Sequence, residues 1–156
     1  ATSTLSQQIA DVMSESLKNT FKVMLSMDML NGPLMPKGDR KLNVDLSAVI
    51  TLSASNLQVT IILHFKKDLA LKVANTMLLE EFTEINEDIF DACLEIANMV
   101  GGGMKKGLRS YELQLSLPTI IVGDNINSYS KSIVESFILP FKGPGGMFLA
   151  ELQMKQ

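Results

Sequence analysis

The chain has one cysteine, Cys93, one histidine, His64, and no tryptophan. A single thiol rules out an internal disulfide, and one cysteine with one histidine cannot assemble a zinc site of the usual Cys/His kind. Aromatic residues make up only 6 % of the chain, which argues against a base-stacking surface. No apolar run reaches the roughly 18 residues needed to span a bilayer. The polar opening "ATSTLSQQ" lacks the charged and apolar regions of a secretion signal. A cytoplasmic protein without membrane contact is the expectation. There is no basic block either: 17 acidic residues stand against 14 basic ones, for a formal charge of -3. Several phosphates could not be neutralised at once, so nucleic acid is not an expected partner.

What is present is ordinary globular material, 156 residues with 46 % hydrophobic content, enough to bury a core within one domain spanning 1–156. Leu5, Ile9, Val12, Met13, Leu17, Phe21, Met24 and Leu25 recur at three- and four-residue spacing, predicting an amphipathic helix that stops near Met29, before "NGPLMPKGD". From Val44 the period becomes two, with Leu46, Ala48, Ile50 and Leu52 on one side of a strand. A second strand, 59–65, follows a turn around "SASN". Asp68 is expected to cap a short helix, "LALKVANTMLLEE", whose Leu71, Ala74 and Leu78 share a face. A further helix runs from about Asn86. Strands are expected over 111–123 and 132–141 and in the closing "GMFLAELQM", the last two joined by "KGPGG" as a hairpin turn. Strands separated by paired helices indicate an α+β fold, long helices on a largely antiparallel sheet.

The stretch "EIANMVGGGMKKGL", 95–108, is unusual inside a helix. On a helical wheel Ile89, Phe90, Cys93, Ile96, Ala97, Val100 and Met104 form a broad core side. The opposite side collects Asp88, Asp91, Glu95, Asn98, Gly102 and Lys106, with Met99 at its edge. Glu95 and Asn98, three apart, emerge as neighbours. Each interior glycine costs a helix up to about 1 kcal/mol relative to Ala, so Gly101 to Gly103 could end it. Met104 and Leu108 nevertheless keep the apolar phase, which indicates continuation. A continuing helix offers bare backbone beside two polar groups, a ridge on which another macromolecule can dock.

Other chemistries fit less well. "GGGMKKG" lacks the spacing of a phosphate-binding loop and does not open a helix after a strand. There is no nucleophile-elbow motif, and His64 reads as a strand residue. Cys93, on the apolar side, reads as a core thiol. The ten methionines read as packing, and Asp88, Asp91 and Glu95 as a solvated face lacking a fourth metal ligand.

At "EIANMVGGGMKKGL" the sequence resembles the CheC/CheX/FliY family of bacterial chemotaxis phosphatases, with CheX the nearest branch. The family motif Glu-x-x-Asn is matched by Glu95 and Asn98. The likeness extends through "FKVML", "SAVITLS", "DLALKVANTMLLEE", "EINEDIFDACLEIANM" and "LSLPTIIVGDN". It implies hydrolysis of the aspartyl phosphate on a CheY-like response-regulator receiver. Asn98 would hold a water in line with the phosphorus and Glu95 would pair with a receiver Lys. Asp91, Met99, Gly102 and Lys106 would line the docking face. The Mg²⁺ would come from the receiver, with no cofactor bound by this chain, and a homodimer joined through the sheets is implied. The sequence departs from the family where relatives have Asn then Ala at Gly103 and Met104, which implies a looser helix end. "SASNLQ" lacks the glycine common in relatives, and Lys18 stands where a second motif would need Asn.

Two alternatives to the phosphatase stand beside it. One is a module of the same fold that binds a receiver or the flagellar switch without catalysis. The other is a structural dimer whose exposed helix serves an unrelated partner.

Overall fold

The first element in the computed structural model, which describes residues 3–123 and 135–156, is helix α1, Thr4–Leu25. Its start is fixed by a reciprocal cap: the Ser3 hydroxyl accepts from the Ser6 N–H at 3.1 Å and the Ser6 hydroxyl accepts from the Ser3 N–H at 2.8 Å. The helix ends four residues before the expected Met29. Ser26 adopts a left-handed φ of 53° and its N–H bonds back to the Lys22 carbonyl. Met27 and Met29 are buried beyond that stop, so the apolar spacing outlasts the helix.

The remaining elements are β1 (Leu30–Asn31), β2 (Met35–Pro36), β3 (Leu46–Ala54), β4 (Leu57–Phe65), α2 (Lys67–Leu78), α3 (Glu87–Gly107), a 3₁₀ turn (Arg109–Tyr111), β5 (Gln114–Leu115), β6 (Thr119–Val122), β7 (Glu135–Gly143) and β8 (Gly146–Lys155). The strands form one antiparallel sheet in the order β1-β7-β8-β4-β3-β5, with β2 added to β7 and β6 to β3. The α+β architecture is as the sequence predicts. Alternation turns Leu46, Ala48, Ile50 and Leu52, Val59, Ile61, Leu63 and Phe65, and Phe148, Ala150 and Leu152 into the core under the helices. The Phe148 ring lies 5.4 Å from that of Phe21 and 5.1 Å from that of Phe65, tying α1 to the sheet.

Three local expectations are corrected. Asp68 does not cap α2: Lys66 precedes the helix without a side-chain bond, and the Asp45 carboxylate, reaching from the start of β3, accepts from the Lys67 N–H at 2.6 Å. The buried face of α2 is Leu69, Ala70, Val73 and Ala74, while Leu78 is exposed and Leu79, left-handed, ends the helix before "EE". The strand expected over 111–123 is broken into β5 and β6, which pair with opposite ends of β3 on either side of Pro118; proline has no N–H to give a ladder. The hairpin at "KGPGG" is present, with Pro144 and Gly145 between the paired Gly143 and Gly146. The "SASN" turn is also tight, Ser55 and Asn56 joining the paired Ala54 and Leu57. The first three residues of the strand expected over 132–141 lie outside the described residues.

The sheet face turned away from the helices carries a buried polar chain. Ser47 Oγ lies 2.8 Å from His64 Nδ1, and His64 Nε2 lies 3.0 Å from Glu151 Oε1. Glu151 also accepts from Lys37 Nζ at 3.2 Å and from Gln153 Nε2 at 2.8 Å. An ionised carboxylate only accepts, so His64 donates from Nε2 to Glu151, and Nδ1 shares a hydrogen bond with the Ser47 hydroxyl. Burial pushes the Glu151 carboxyl up, but the bonds from His64, Gln153 and Lys37 outweigh it and hold it below its ordinary 4.5.

Helix α3 approaches its neighbours closely enough that side chains are excluded. A Cβ on Gly101 would sit 2.9 Å from both Ile50 Cδ1 and Leu115 Cδ1. One on Gly103 would overlap the Ser16 hydroxyl, and one on Gly107 would sit 2.8 Å from Val12 Cγ1. Only Gly102 faces open space, with nothing within 4 Å. The helix continues through the glycines to Gly107, and Gly103 lies against α1, where the Ser16 hydroxyl donates to the Val100 carbonyl at 2.7 Å.

Two measurements check these contacts. In urea denaturation, Gly102→Ala is expected to be more stable than wild type by about 0.5–1 kcal/mol from helix propensity. Gly103→Ala is expected to forfeit that gain, because displacing Ser16 loses a hydrogen bond of about 1 kcal/mol. For Glu151 the folded value is depressed, so its stabilisation is complete above about pH 4.5 and is lost as pH falls through the folded value. Glu151→Gln is expected to cost about 3 kcal/mol at pH 7 and to flatten the stability profile in the acid range.

Candidate functional site

Helix α3 is built for length and rigidity. The Asn86 side chain accepts from the N–H groups of Asp88 at 2.9 Å and Ile89 at 3.2 Å, satisfying donors that a helix start leaves free. Glu87 and Asp88 occupy the first turn and Lys105 and Lys106 the last, each sign at the end of the dipole that favours it. The buried side consists of Ile89, Ala92, Cys93, Ile96, Ala97, Val100, Gly101 and Met104. Phe90, assigned to the core side from sequence, is only half-buried.

The outward side carries Asp88, Asp91, Glu95, Asn98 and Lys106, all exposed, with Gly102 and Met99 half-buried. The residues singled out by sequence thus share one surface of one helix. Glu95 enters none of the ion pairs among the described residues. The open space over Gly102, one turn beyond Asn98, leaves the backbone there accessible. The face offers a carboxylate and a neutral carboxamide on a rigid support. It has no histidine, thiol or serine, and a carboxylate beside a carboxamide can orient a water or a charged group.

The other reactive residues are elsewhere and occupied. Cys93 is fully buried, and desolvation pushes its thiol up to about 12, which keeps it protonated and unreactive at neutral pH. His64 is buried with both ring nitrogens bonded. Among the described residues no group of three or more His, Cys, Asp or Glu converges on a point where a metal could sit, and no helix is long and apolar enough to cross a membrane. The contact that sequence reading missed is Ser16 on Val100: the two are 84 positions apart, and a serine on a half-polar helix carries no signal of its partner.

Comparison with known proteins gives a consistent placement. The family described as "Chemotaxis phosphatase CheX" matches residues 46–142, more than half of the chain. No curated protein matches. Among solved structures, the chemotaxis protein CheX from Vibrio vulnificus superposes with a TM-score of 0.85 at 25 % identity, covering 95 % of this chain and 99 % of that one. A CheC-like superfamily protein from Shewanella sp. PV-4 gives 0.84 at 27 % identity, covering 96 % and 98 %. The CheX of a Borrelia burgdorferi complex with CheY, BeF₃ and Mg²⁺ shares the fold, with a TM-score of 0.79 at 20 % identity over 95 % of this chain and 98 % of that one. With the matched family model spanning β3, β4, α2 and all of α3, the chain belongs to the CheX family of chemotaxis phosphatases.

Proposed function

We propose that this chain hydrolyses the aspartyl phosphate of a CheY-like receiver domain and so ends a chemotaxis or related two-component signal in the cytoplasm. The observation that carries the reading is the exposed Glu95 and Asn98 pair on one continuous helix, beside Gly102, where a side-chain position has no neighbour within 4 Å. The Borrelia burgdorferi relative, caught with CheY, BeF₃ and Mg²⁺, supports the choice of partner and of phosphoryl chemistry.

In the proposed mechanism the receiver supplies the phosphorylated Asp, the Mg²⁺ and a Lys. The Asn98 carboxamide accepts a hydrogen bond from a water and holds it in line with the phosphorus. The water oxygen bonds to phosphorus as the bond to the Asp carboxylate breaks, and inorganic phosphate and the free carboxylate leave. An acyl phosphate is already activated, so alignment is the main requirement and a neutral amide can meet it without acting as a base. Glu95 pairs with the receiver Lys, which also offsets the repulsion between a carboxylate and phosphate oxygens. Asp91, Met99, Gly102 and Lys106 line the docking face.

A homodimer joined through the sheets belongs to the same proposal. Among the described residues β6 has β3 on one side only, and Leu117 and Val122 flank that edge at 88 % and 63 % exposure, apolar area that a second copy would cover. Sedimentation at twice 17.1 kDa is the expected result, and a monomer at all concentrations would reject the dimer.

The catalytic proposal is tested by following loss of phosphate from an acyl-phosphorylated CheY with Mg²⁺. Wild type is expected to accelerate it. Asn98→Ala is expected to lose about 100-fold or more of that acceleration while still binding the BeF₃-charged receiver. Binding without acceleration by wild type would favour the non-catalytic module.

A further inference from the structure

Ser16 lies outside the α3 face, yet it fixes how that face is held. Its hydroxyl donates to the Val100 carbonyl at 2.7 Å, two residues beyond Asn98. The contact exists because Gly103 has no side chain: a Cβ there would overlap the hydroxyl and stand 3.1 Å from Ser16 Cβ. Val12, one turn earlier on α1, meets Gly107, one turn later on α3. The helices are therefore antiparallel and touch at backbone distance along Val12, Ser16, Gly103 and Gly107.

The same stripe of α1 continues at helical spacing to Asn19 and Val23. There Asn19 is exposed and Val23 is 66 % exposed, while Thr20 between them is buried. By the antiparallel register these two residues stand level with the turns of α3 that carry Glu95 and Asn98. The helices are in close contact at the glycine end, and at the functional end Asn19 and Val23 of α1 are open beside α3.

A partner cannot rest on α3 alone. A stable interface takes about 20–30 residues a side, and the outward side of α3 offers only a handful. The neighbour on the Met99 side is α1, so a receiver seated on α3 must also bear on the Asn19 and Val23 part of α1. The height and rotation of α3 relative to α1 then decide whether Asn98 reaches the phosphorus, and misplacement by about 1 Å can cost on the order of 100-fold in rate.

We infer that Ser16, locked against Gly103, is a positioning residue for Asn98: it sets the depth at which the water-holding amide is presented to a receiver seated across α1 and α3. The inference rests on the phosphatase reading. Asn98 and Glu95 act on the substrate, and Ser16 acts through them.

The experiment is steady-state dephosphorylation of acetyl-phosphate-charged CheY, at varied receiver concentration with Mg²⁺, by wild type, Ser16→Ala and Gly103→Ala, all checked for folding by circular dichroism and urea midpoint. Ser16→Ala removes the bond from α1 and Gly103→Ala breaks it from α3, so the two approach one contact from opposite sides. Each is expected to lower kcat on the order of 10-fold with KM for the receiver within about twofold, and to cost nothing further in an Asn98→Ala background. Unchanged kcat in both variants, a loss confined to KM, or a loss that persists in full without Asn98 would overturn the role of Ser16 and leave the phosphatase reading standing. A wild type that does not accelerate dephosphorylation overturns that reading and this role with it.

Discussion

The exposed face of α3 exists in its present form because that helix lies at close range to the sheet and to α1. Close packing of a helix against both a sheet and a second helix leaves room for almost no side chain on the lines of contact, and Gly101, Gly103 and Gly107 are placed on those lines. A helix interior with three glycines in a row is weak in isolation. Here burial of Ile89, Cys93, Ile96, Val100 and Met104 supplies what intrinsic propensity lacks, each fully buried apolar side chain contributing about 1.5–3 kcal/mol. The glycine run is a packing device at Gly101 and Gly103, and Gly102 alone in it has room for a side chain.

The two faces of the sheet do different work. Under the helices it is wholly apolar and anchors α1 through the Phe21, Phe65 and Phe148 rings. On the far side, Ser47, His64, Glu151 and Lys37 form a line across the strands. Serine, imidazole and carboxylate in hydrogen-bonded series is the order found in hydrolases, but Ser47 and Glu151 have no exposed surface, so no substrate reaches the hydroxyl. The line ties Lys37, which follows β2, to β8, β4 and β3. A carboxylate buried with a full set of donors is specific about its partners, which suits a latch across strands and not an active site.

Periodicity was sufficient for most of this architecture. The change from a period of 3.6 to one of 2 at Val44 and the unbroken apolar phase through Met104 are local signals, and β3, β4 and α3 follow them. The misplaced helix ends share one cause. Met27, Met29 and Leu79 are apolar residues that continue a helical spacing after a left-handed residue has turned the chain, or are themselves that residue, and apolar character alone does not report φ. Asp45 capping α2 in place of Asp68, and Ser16 seated on Gly103, are contacts between distant segments, so nothing in either local stretch announces them. The face bearing Glu95 and Asn98 was legible because it is polar on a strongly amphipathic helix. The division of labour among the glycines was not, because glycine beside a neighbour and glycine beside solvent read alike.

A site made of one amide and one carboxylate is a small chemical endowment, and the structure gives a reason why it can be enough. Aligning a water with an activated phosphorus is a problem of entropy and orientation, for which effective molarities correspond to about 7–11 kcal/mol, whereas a single neutral hydrogen bond contributes about 1 kcal/mol. Most of the acceleration therefore comes from where the amide is held, not from what it is. In the proposed complex the phosphate, metal and cation belong to the receiver, so neither surface is a hydrolase by itself and unphosphorylated or unrelated proteins present nothing to attack. Rate and specificity then depend on the same quantity, the fit of a receiver over α3 and its flanking helix. The tight contacts of Gly101 with the sheet, and of Gly103 and Gly107 with α1, are what keep that fit from varying.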